Sequence, residues 1–166
     1  MVLDLNVVRQ NYDAFAKALP DTRVFYAVKA NPAPEVLDLL ARLGSCFDTA
    51  SVVEIEQVLA TGCSPDRVSF GNTIKKERDI ARAFALGIRL FAVDCSAEVE
   101  KIARAAPGAK AFCPIPSDSA GAEWPLSRQF VCDPATATAV PDPPKLPAMR
   151  PLSSCCHPCP PARPVH

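Results

Sequence analysis

One recurring pattern constrains this chain more than any other feature. A short apolar run rich in aromatic and β-branched residues is followed by a loop and then by a helical stripe of apolar positions, and the unit returns about every twenty residues. RVFYAV (23–28) leads through Pro32-Ala33-Pro34 into EVLDLLARLG. There Val36, Leu37, Leu39, Leu40 and Leu43 share one side and Gly44 reads as a stop. The order repeats in Cys46-Phe47-Asp48 before VVEIEQVLATG, in RVSF (67–70) before KKERDIARAFALG, and in residues 88–93 before AEVEKIARAA, with a last run at 110–115. Strand ends fall near Lys29, Asp48, Phe70, Val93 and Cys113. A further helix, over 7–19, precedes the first strand and stops at Pro20.

Consecutive strands joined by helices run parallel, with right-handed crossovers. The fold class is therefore α/β, either an open doubly wound sheet or part of a barrel. An open sheet that binds dinucleotides needs a glycine-rich turn after its first strand, and this turn reads KANPAP, so the dinucleotide reading fails. A complete eight-fold β/α barrel needs roughly 250 residues. The chain has 166, room for one core and no second domain of comparable size.

Proline divides the chain. Only Pro20, Pro32, Pro34, Pro65 and Pro107 precede Cys113, whereas thirteen of the 18 lie from Pro114 onward, and Gly121 is the last glycine. Residues 1–133 are expected to form the folded unit. Residues 134–166 show no strand or helix period and too little apolar surface for a core, and are expected to be a disordered Pro/Cys-rich tail. The abrupt change of composition reads as translation in a shifted frame of a GC-rich gene.

Basic and acidic side chains balance at 18 each, with no Lys/Arg run, which leaves no electrostatic footprint for nucleic acid or an anionic membrane. No apolar stretch approaches the ~18 residues that span a bilayer, and the first residues do not read as a secretion signal, so a cytoplasmic protein is expected. Cys46, Cys63, Cys95 and Cys113 are spread singly through apolar segments, as buried reduced thiols are. Cys155-Cys156-His157-Pro158-Cys159 invites a zinc reading, but adjacent cysteines flanked by prolines restrict a tetrahedron, and no metal site is expected.

Ligand sites in parallel α/β folds lie at the carboxyl ends of the strands. Lys29, Asn31, Asp48, Ser51, Glu54, Gly71, Asn72 and Thr73 fall there. Lys29 follows an apolar strand, where desolvation would disfavour the ammonium and free a nucleophilic amine suited to an aldehyde; a lysine that snorkels at a strand end explains its position equally. Ser51 and Glu54 have the spacing of a helix capping box, which accounts for Glu54 structurally and leaves a functional role open beside it. Gly71-Asn72-Thr73 offers donors for a phosphate or carboxylate, or simply a turn before a helix.

FYAVKANPAPEVLDLLARLG, FDTASVVEIEQVL, RVSFGNTIKK, FAVDCSAEVEKIARAAPGAKAFC and GAEWPLSRQF, in this order, resemble the N-terminal half of the pyridoxal-phosphate-dependent ornithine decarboxylases of the alanine racemase-like barrel type. The resemblance runs over roughly residues 24–132. Diaminopimelate decarboxylases share YAVKAN, but GNTIK and GAEWPLSR are closer to the ornithine and lysine enzymes. The resemblance implies a partial, TIM-like β/α barrel of about five parallel strands. It implies that Lys29 bonds covalently to pyridoxal phosphate, and that Asp48 and Glu54 lie near the cofactor. It further implies decarboxylation of a small basic amino acid, ornithine or lysine, with ornithine giving putrescine and carbon dioxide, and homodimers.

The chain also departs from the family's pattern. Pro114 stands where an arginine is expected to reach the cofactor region. The later histidine that stacks on the cofactor, the glycine-rich phosphate loop, the acidic partner of the ring nitrogen and the β-domain cysteine have no counterparts. His157 and His166 lie in the proline-rich segment. The expectation is thus a fragment that is inactive alone. The alternatives are a non-catalytic half-barrel that associates with a full-length decarboxylase, or a pyridoxal-phosphate carrier that uses Lys29.

Overall fold

The computed structural model describes residues 3–115 together with 150–151 and 155–156. Five strands, β1 (Phe25–Ala27), β2 (Cys46–Thr49), β3 (Val68–Phe70), β4 (Leu90–Ala92) and β5 (Lys110–Phe112), lie side by side in the order of the sequence, each parallel to its neighbour. That order decides between the two α/β architectures. A doubly wound sheet reverses its strand order at a switch point. Uninterrupted order with right-handed crossovers instead keeps every helix on one face, which is the wall of a β/α barrel.

Among the described residues five α-helices accompany the sheet: α1 (Leu5–Ala18), α2 (Pro34–Leu43), α3 (Val52–Ala60), α4 (Glu77–Ala85) and α5 (Ser96–Ala105). Their ends follow local chemistry. Asp4 caps α1 by accepting a hydrogen bond from the Asn6 N–H at 2.8 Å, so the helix starts two residues before the expected position and ends one residue earlier. Pro34 opens α2 with its φ already helical, and Gly44, at φ 92°, closes it in the left-handed region open to glycine.

Register explains which sheet face is buried. Tyr26, Phe47 and Val68 stand level on neighbouring strands, as do Thr49, Phe70 and Phe91, and both rows face the helices. They pack against Leu37 and Leu40 of α2, Ile55 and Val58 of α3, Ile80 of α4 and Val99 and Ile102 of α5. Full burial of such side chains stabilises the fold by about 1.5–3 kcal/mol each. The opposite face carries the row Ala27, Asp48, Ser69, Leu90 and Lys110. Apart from the buried Ser69 these residues are more exposed, and the row is more polar, as befits the inward face of an incomplete barrel.

Arg67 secures the amino-terminal end of the sheet. Its guanidinium donates to Ala41 O at 2.9 Å and to Ser45 O at 3.0 Å, satisfying carbonyls left over at the end of α2. On the outer surface Arg82 pairs with Glu56 at 2.9 Å and Arg104 with Glu77 at 3.0 Å, linking α4 to α3 and α5 to α4. Exposed pairs of this kind contribute at most about 1 kcal/mol.

Four expectations meet differences. β1 ends at Ala27, two residues before Lys29, because Val28–Ala30 winds into a single 3₁₀ turn. The last run, 110–115, is not one strand: β5 stops at Phe112, and Pro114 opens a separate strand, β6 (Pro114–Ile115), as its first residue, where proline is tolerated. Of residues 134–166, β7 (Arg150–Pro151) and β8 (Cys155–Cys156) are described. β7 joins β5 at the sheet edge and β8 pairs with β6, both parallel, so a short strand directly precedes His157. The remainder of the expected tail, with His157, Cys159 and His166, lies outside the described residues, as does GAEWPLSRQF. Finally, Cys46 and Cys63 are buried free thiols as expected, whereas Cys95 is exposed and Cys113 is disulfide-bonded. Among the described residues no helix is long and apolar enough to cross a membrane.

Candidate functional site

The carboxyl ends of β1, β2 and β3 bring the candidate residues to one end of the sheet. Lys29 occupies the middle of the 3₁₀ turn that continues β1, and its side chain is exposed, so the desolvation expected of it is not there. What the fold gives Lys29 is access. The turn beyond it is fixed locally. Asn31 Oδ1 accepts the Ala33 N–H at 3.0 Å and the Asn31 carbonyl accepts the Tyr26 hydroxyl at 3.2 Å, so KANPAP holds its shape without glycine. Burial pushes the Tyr26 phenol up from its ordinary pKa, which keeps it a donor.

Asp48 stands next to Ala27 of β1 and Ser69 of β3, on the inward face. The buried Ser69 hydroxyl donates to its Oδ1 at 2.6 Å, a short charge-assisted bond. Ser69 is anchored in turn, since Thr49 Oγ1 donates to its carbonyl at 2.6 Å. On the other side Gly71 leaves the carboxylate room. A Cβ built there would lie 2.5 Å from Asp48 Cγ and closer still to both oxygens. The β3–α4 connection therefore meets Asp48 through bare backbone.

Glu54 is half-buried in the first turn of α3. Its amide donates to the Ser51 hydroxyl at 3.2 Å, while its own Oε2 accepts the Ala50 N–H at 2.6 Å. The expected capping box is present with its return bond one residue further back than usual. Lys29 and Asp48 thus share neighbouring strand ends, whereas the Glu54 carboxylate is held by backbone. Ser51→Ala is expected to cost about 1 kcal/mol of stability, the usual loss of an N-cap hydroxyl, read as a lowered urea midpoint with an unchanged slope.

One further residue, not among the candidates legible in the sequence, lies at this end of the sheet. Lys75, in the GNTIKK stretch, has a side chain that is 0% exposed. Its ammonium donates to the carbonyls of Asn72 and Thr73 at 2.9 Å each and of Ala92 at 2.5 Å. Glu98 Oε2 lies 3.6 Å from that nitrogen, and Glu98 Oε1 pairs with Lys101. Desolvation pushes Lys75 down to about 8, with the Glu98 charge acting in the opposite direction. Glu98 was the legible signal, an acid beside Val99 and in line with Ile102 on the apolar stripe of α5.

Among the described residues no cluster of three His, Cys, Asp or Glu side chains could hold a metal. A cavity of about 440 Å³ is lined by Glu35 and Leu37 of α2 and by Gln57 and Ala60 of α3, and includes none of Lys29, Asp48 and Glu54.

Residues 5–140 match the family model described as the pyridoxal-dependent decarboxylase, pyridoxal binding domain. The chain belongs to this family. Its cofactor is pyridoxal phosphate. The chain is 43% identical over 130 residues to the chloroplastic ornithine decarboxylase of Nicotiana glauca, covering 78% of this chain and 30% of that protein. Among solved structures it is similar to a lysine decarboxylase mutant of Selenomonas ruminantium in complex with pyridoxal phosphate, at 33% identity and a TM-score of 0.84, over 92% of this chain and 40% of that one. A second is the lysine/ornithine decarboxylase of Vibrio vulnificus complexed with putrescine, at 30% identity and 0.78, over 93% and 40%. The chain spans 30% of the length of the Nicotiana glauca protein, so it shares with these decarboxylases one stretch of barrel wall. An exposed primary amine in the turn that follows β1, with a carboxylate fixed on the inward face of the next strand, fits a cofactor that bears an aldehyde.

Proposed function

We propose that residues 1–133 form the cofactor-side portion of a pyridoxal-phosphate-dependent decarboxylase of basic amino acids, with ornithine as substrate and putrescine and carbon dioxide as products. The observation that carries this reading is the exposed Lys29 amine in the turn that continues β1, the strand next to the one that carries the anchored Asp48 carboxylate. Lys29 is assigned the covalent hold on the cofactor's carbonyl carbon. Asp48 would hold a protonated amine near it, because Ser69 and Gly71 leave its carboxylate little freedom to turn away. Glu54 contributes by shaping the loop between β2 and α3, through its bond to the Ala50 amide. When bound, the cofactor supplies a ring that accepts the electron pair left by the departing α-carboxylate.

The reading includes three further parts: a cytoplasmic protein, association into homodimers, and no turnover by the 166 residues alone. The last part is supported by the make-up of the described inward face, where Ala27, Asp48, Ser69, Leu90 and Lys110 supply one carboxylate and one cation and no cluster suited to a phosphate group.

The test is direct. The purified chain is incubated with pyridoxal phosphate, reduced with borohydride and digested, and the modified lysines are located by mass spectrometry. The expected result is preferential modification of Lys29, lost in Lys29→Ala, with no release of carbon dioxide from labelled ornithine above the rate without protein. Equal modification of other exposed lysines such as Lys76 would overturn the assignment of Lys29. Lys29-dependent release of carbon dioxide would overturn the inactivity of the isolated chain.

A further inference from the structure

We propose that Lys75 is a positioning residue for this site: its buried ammonium ties the loop after β3 to the end of β4 and thereby fixes the backbone against which the Asp48 carboxylate rests. Lysine is almost never fully buried, and an apolar side chain of similar length would fill the same space without the cost of desolvating a charge. What an apolar side chain would not do is gather carbonyls. An ammonium has three donors, and three carbonyl oxygens converge on this one: Asn72 and Thr73 from the β3–α4 loop and Ala92 from the last residue of β4. Two of the three belong to one turn of chain and the third to the next strand, so the cation joins the two elements just past the last paired residues of their ladder, Phe70 and Phe91.

The tie is held from behind as well. Glu98, buried on α5, lies 3.6 Å from the ammonium and accepts the Lys75 backbone N–H at 3.3 Å, and Lys101 donates to the Lys75 carbonyl at 2.6 Å. The Phe70 ring, 5.9 Å from the ammonium, closes the side toward β3. The loop accepts a penalty for this arrangement. Among the described residues Thr73 Oγ1 is buried with no hydrogen-bond partner, although its carbonyl is taken by Lys75. The loop's conformation is therefore set by the ammonium and not by the hydroxyl within it.

The same loop begins at Gly71, whose N–H donates to Thr49 O at 2.8 Å and whose missing side chain makes the space the Asp48 carboxylate occupies. A shift of Asn72 and Thr73 moves Gly71, and with it the surface that orients Asp48. The functional weight of this tie rests on the proposed role of Asp48 beside the cofactor. The tie itself does not.

The experiment measures local opening in the whole chain. Amide hydrogen exchange is followed in the unaltered protein and in Lys75→Met at Gly71 and at Cys46, whose N–H donates to Val24 O at the opposite end of the sheet. The Asp48 carboxyl carbon is recorded by NMR alongside. The expected result is exchange at Gly71 faster by about tenfold or more, with Cys46 unchanged and the Asp48 resonance displaced. Equal acceleration at both amides, or none at Gly71, overturns the proposal, because Lys75 would then stabilise the fold generally or not at all. Should Lys75→Met fail to fold, Glu98→Gln, which removes the counter-charge and keeps the volume, takes its place; because it also lowers overall stability, acceleration at Gly71 beyond that at Cys46 is then the expected result, and equal acceleration at both overturns the proposal. Borohydride trapping at Lys29 in the unaltered chain is scored separately. Its failure beside a positive exchange result removes the cofactor reading and leaves the tie, and the converse removes the tie alone.

Discussion

Glu98→Ala is expected to lower the unfolding free energy by about 3–5 kcal/mol at pH 7, the usual cost of removing one partner from a buried ion pair. The Glu98 side chain is 5% exposed and lies between two lysines, one of them wholly buried. Without it the Lys75 ammonium keeps three carbonyl dipoles and only the weaker pull of Asp94, in a place water does not reach. Urea denaturation checks the result: the midpoint falls while the slope is kept. The deficit depends on pH with a definite sign. Burial holds Lys75 at about 8 in the folded chain, below the ordinary 10.5 it regains on unfolding. Between those values the unfolded chain binds more protons, so this residue's contribution to stability rises with pH, and the full cost of its charge is carried below about 8. A neutral amine needs no countercharge. The gap between the parent and Glu98→Ala should therefore narrow as pH is raised from 7 toward 10, and a gap that stays constant across that range would remove Lys75 as the group that Glu98 serves.

Gly71→Ala is expected to destabilise the chain by about 1–3 kcal/mol, and Gly71→Val by more, through overlap and not through backbone conformation. The added carbon would meet Asp48 Cγ at 2.5 Å, with both carboxylate oxygens closer. Relief requires the carboxylate to turn, which breaks its 2.6 Å bond to Ser69, or the β3–α4 loop to lift, which strains the carbonyls held by Lys75. The signature is coupling. In the double variant Gly71→Ala with Asp48→Ala most of the loss should vanish, giving an interaction energy of about 1 kcal/mol or more in a double-mutant cycle. Additive losses would place the strain elsewhere than in this contact.

Much of the architecture could be read before any coordinates. The alternation of strand runs and apolar helix stripes fixes four βα units and a fifth strand because periodicity reports directly which face is buried. KANPAP excludes the glycine-rich turn of an open nucleotide-binding sheet, and the observed strand order agrees with the barrel alternative. The local reading placed Lys29 and Asp48 at adjacent strand ends. It left Lys29 between a desolvated amine and a lysine that snorkels at a strand end, and the exposed side chain agrees with the second: the apolar run continues through buried Val28, past the point where the backbone has already left the strand for a 3₁₀ turn. It passed over Lys75 for a plainer reason. Lys75 and Lys76 look alike in sequence, and what separates them is distant: Ala92 and Glu98, 17 and 23 residues away, are what make one buried and leave the other exposed.

The uninterrupted strand order bears on how the chain reaches this structure. Each of the four ladders from β1 to β5 joins strands about twenty residues apart, so each closes a short loop and pays a small entropy of closure. Low average separation between partners is associated with fast folding, even for parallel pairing, which is otherwise slow. Every added unit docks on the edge left by the one before it, so structure can grow from the amino terminus as the chain emerges during synthesis. A block at any one unit, such as the clash that Gly71→Ala would introduce in the third, would halt that growth at a defined point and leave the earlier strands with an unpaired edge.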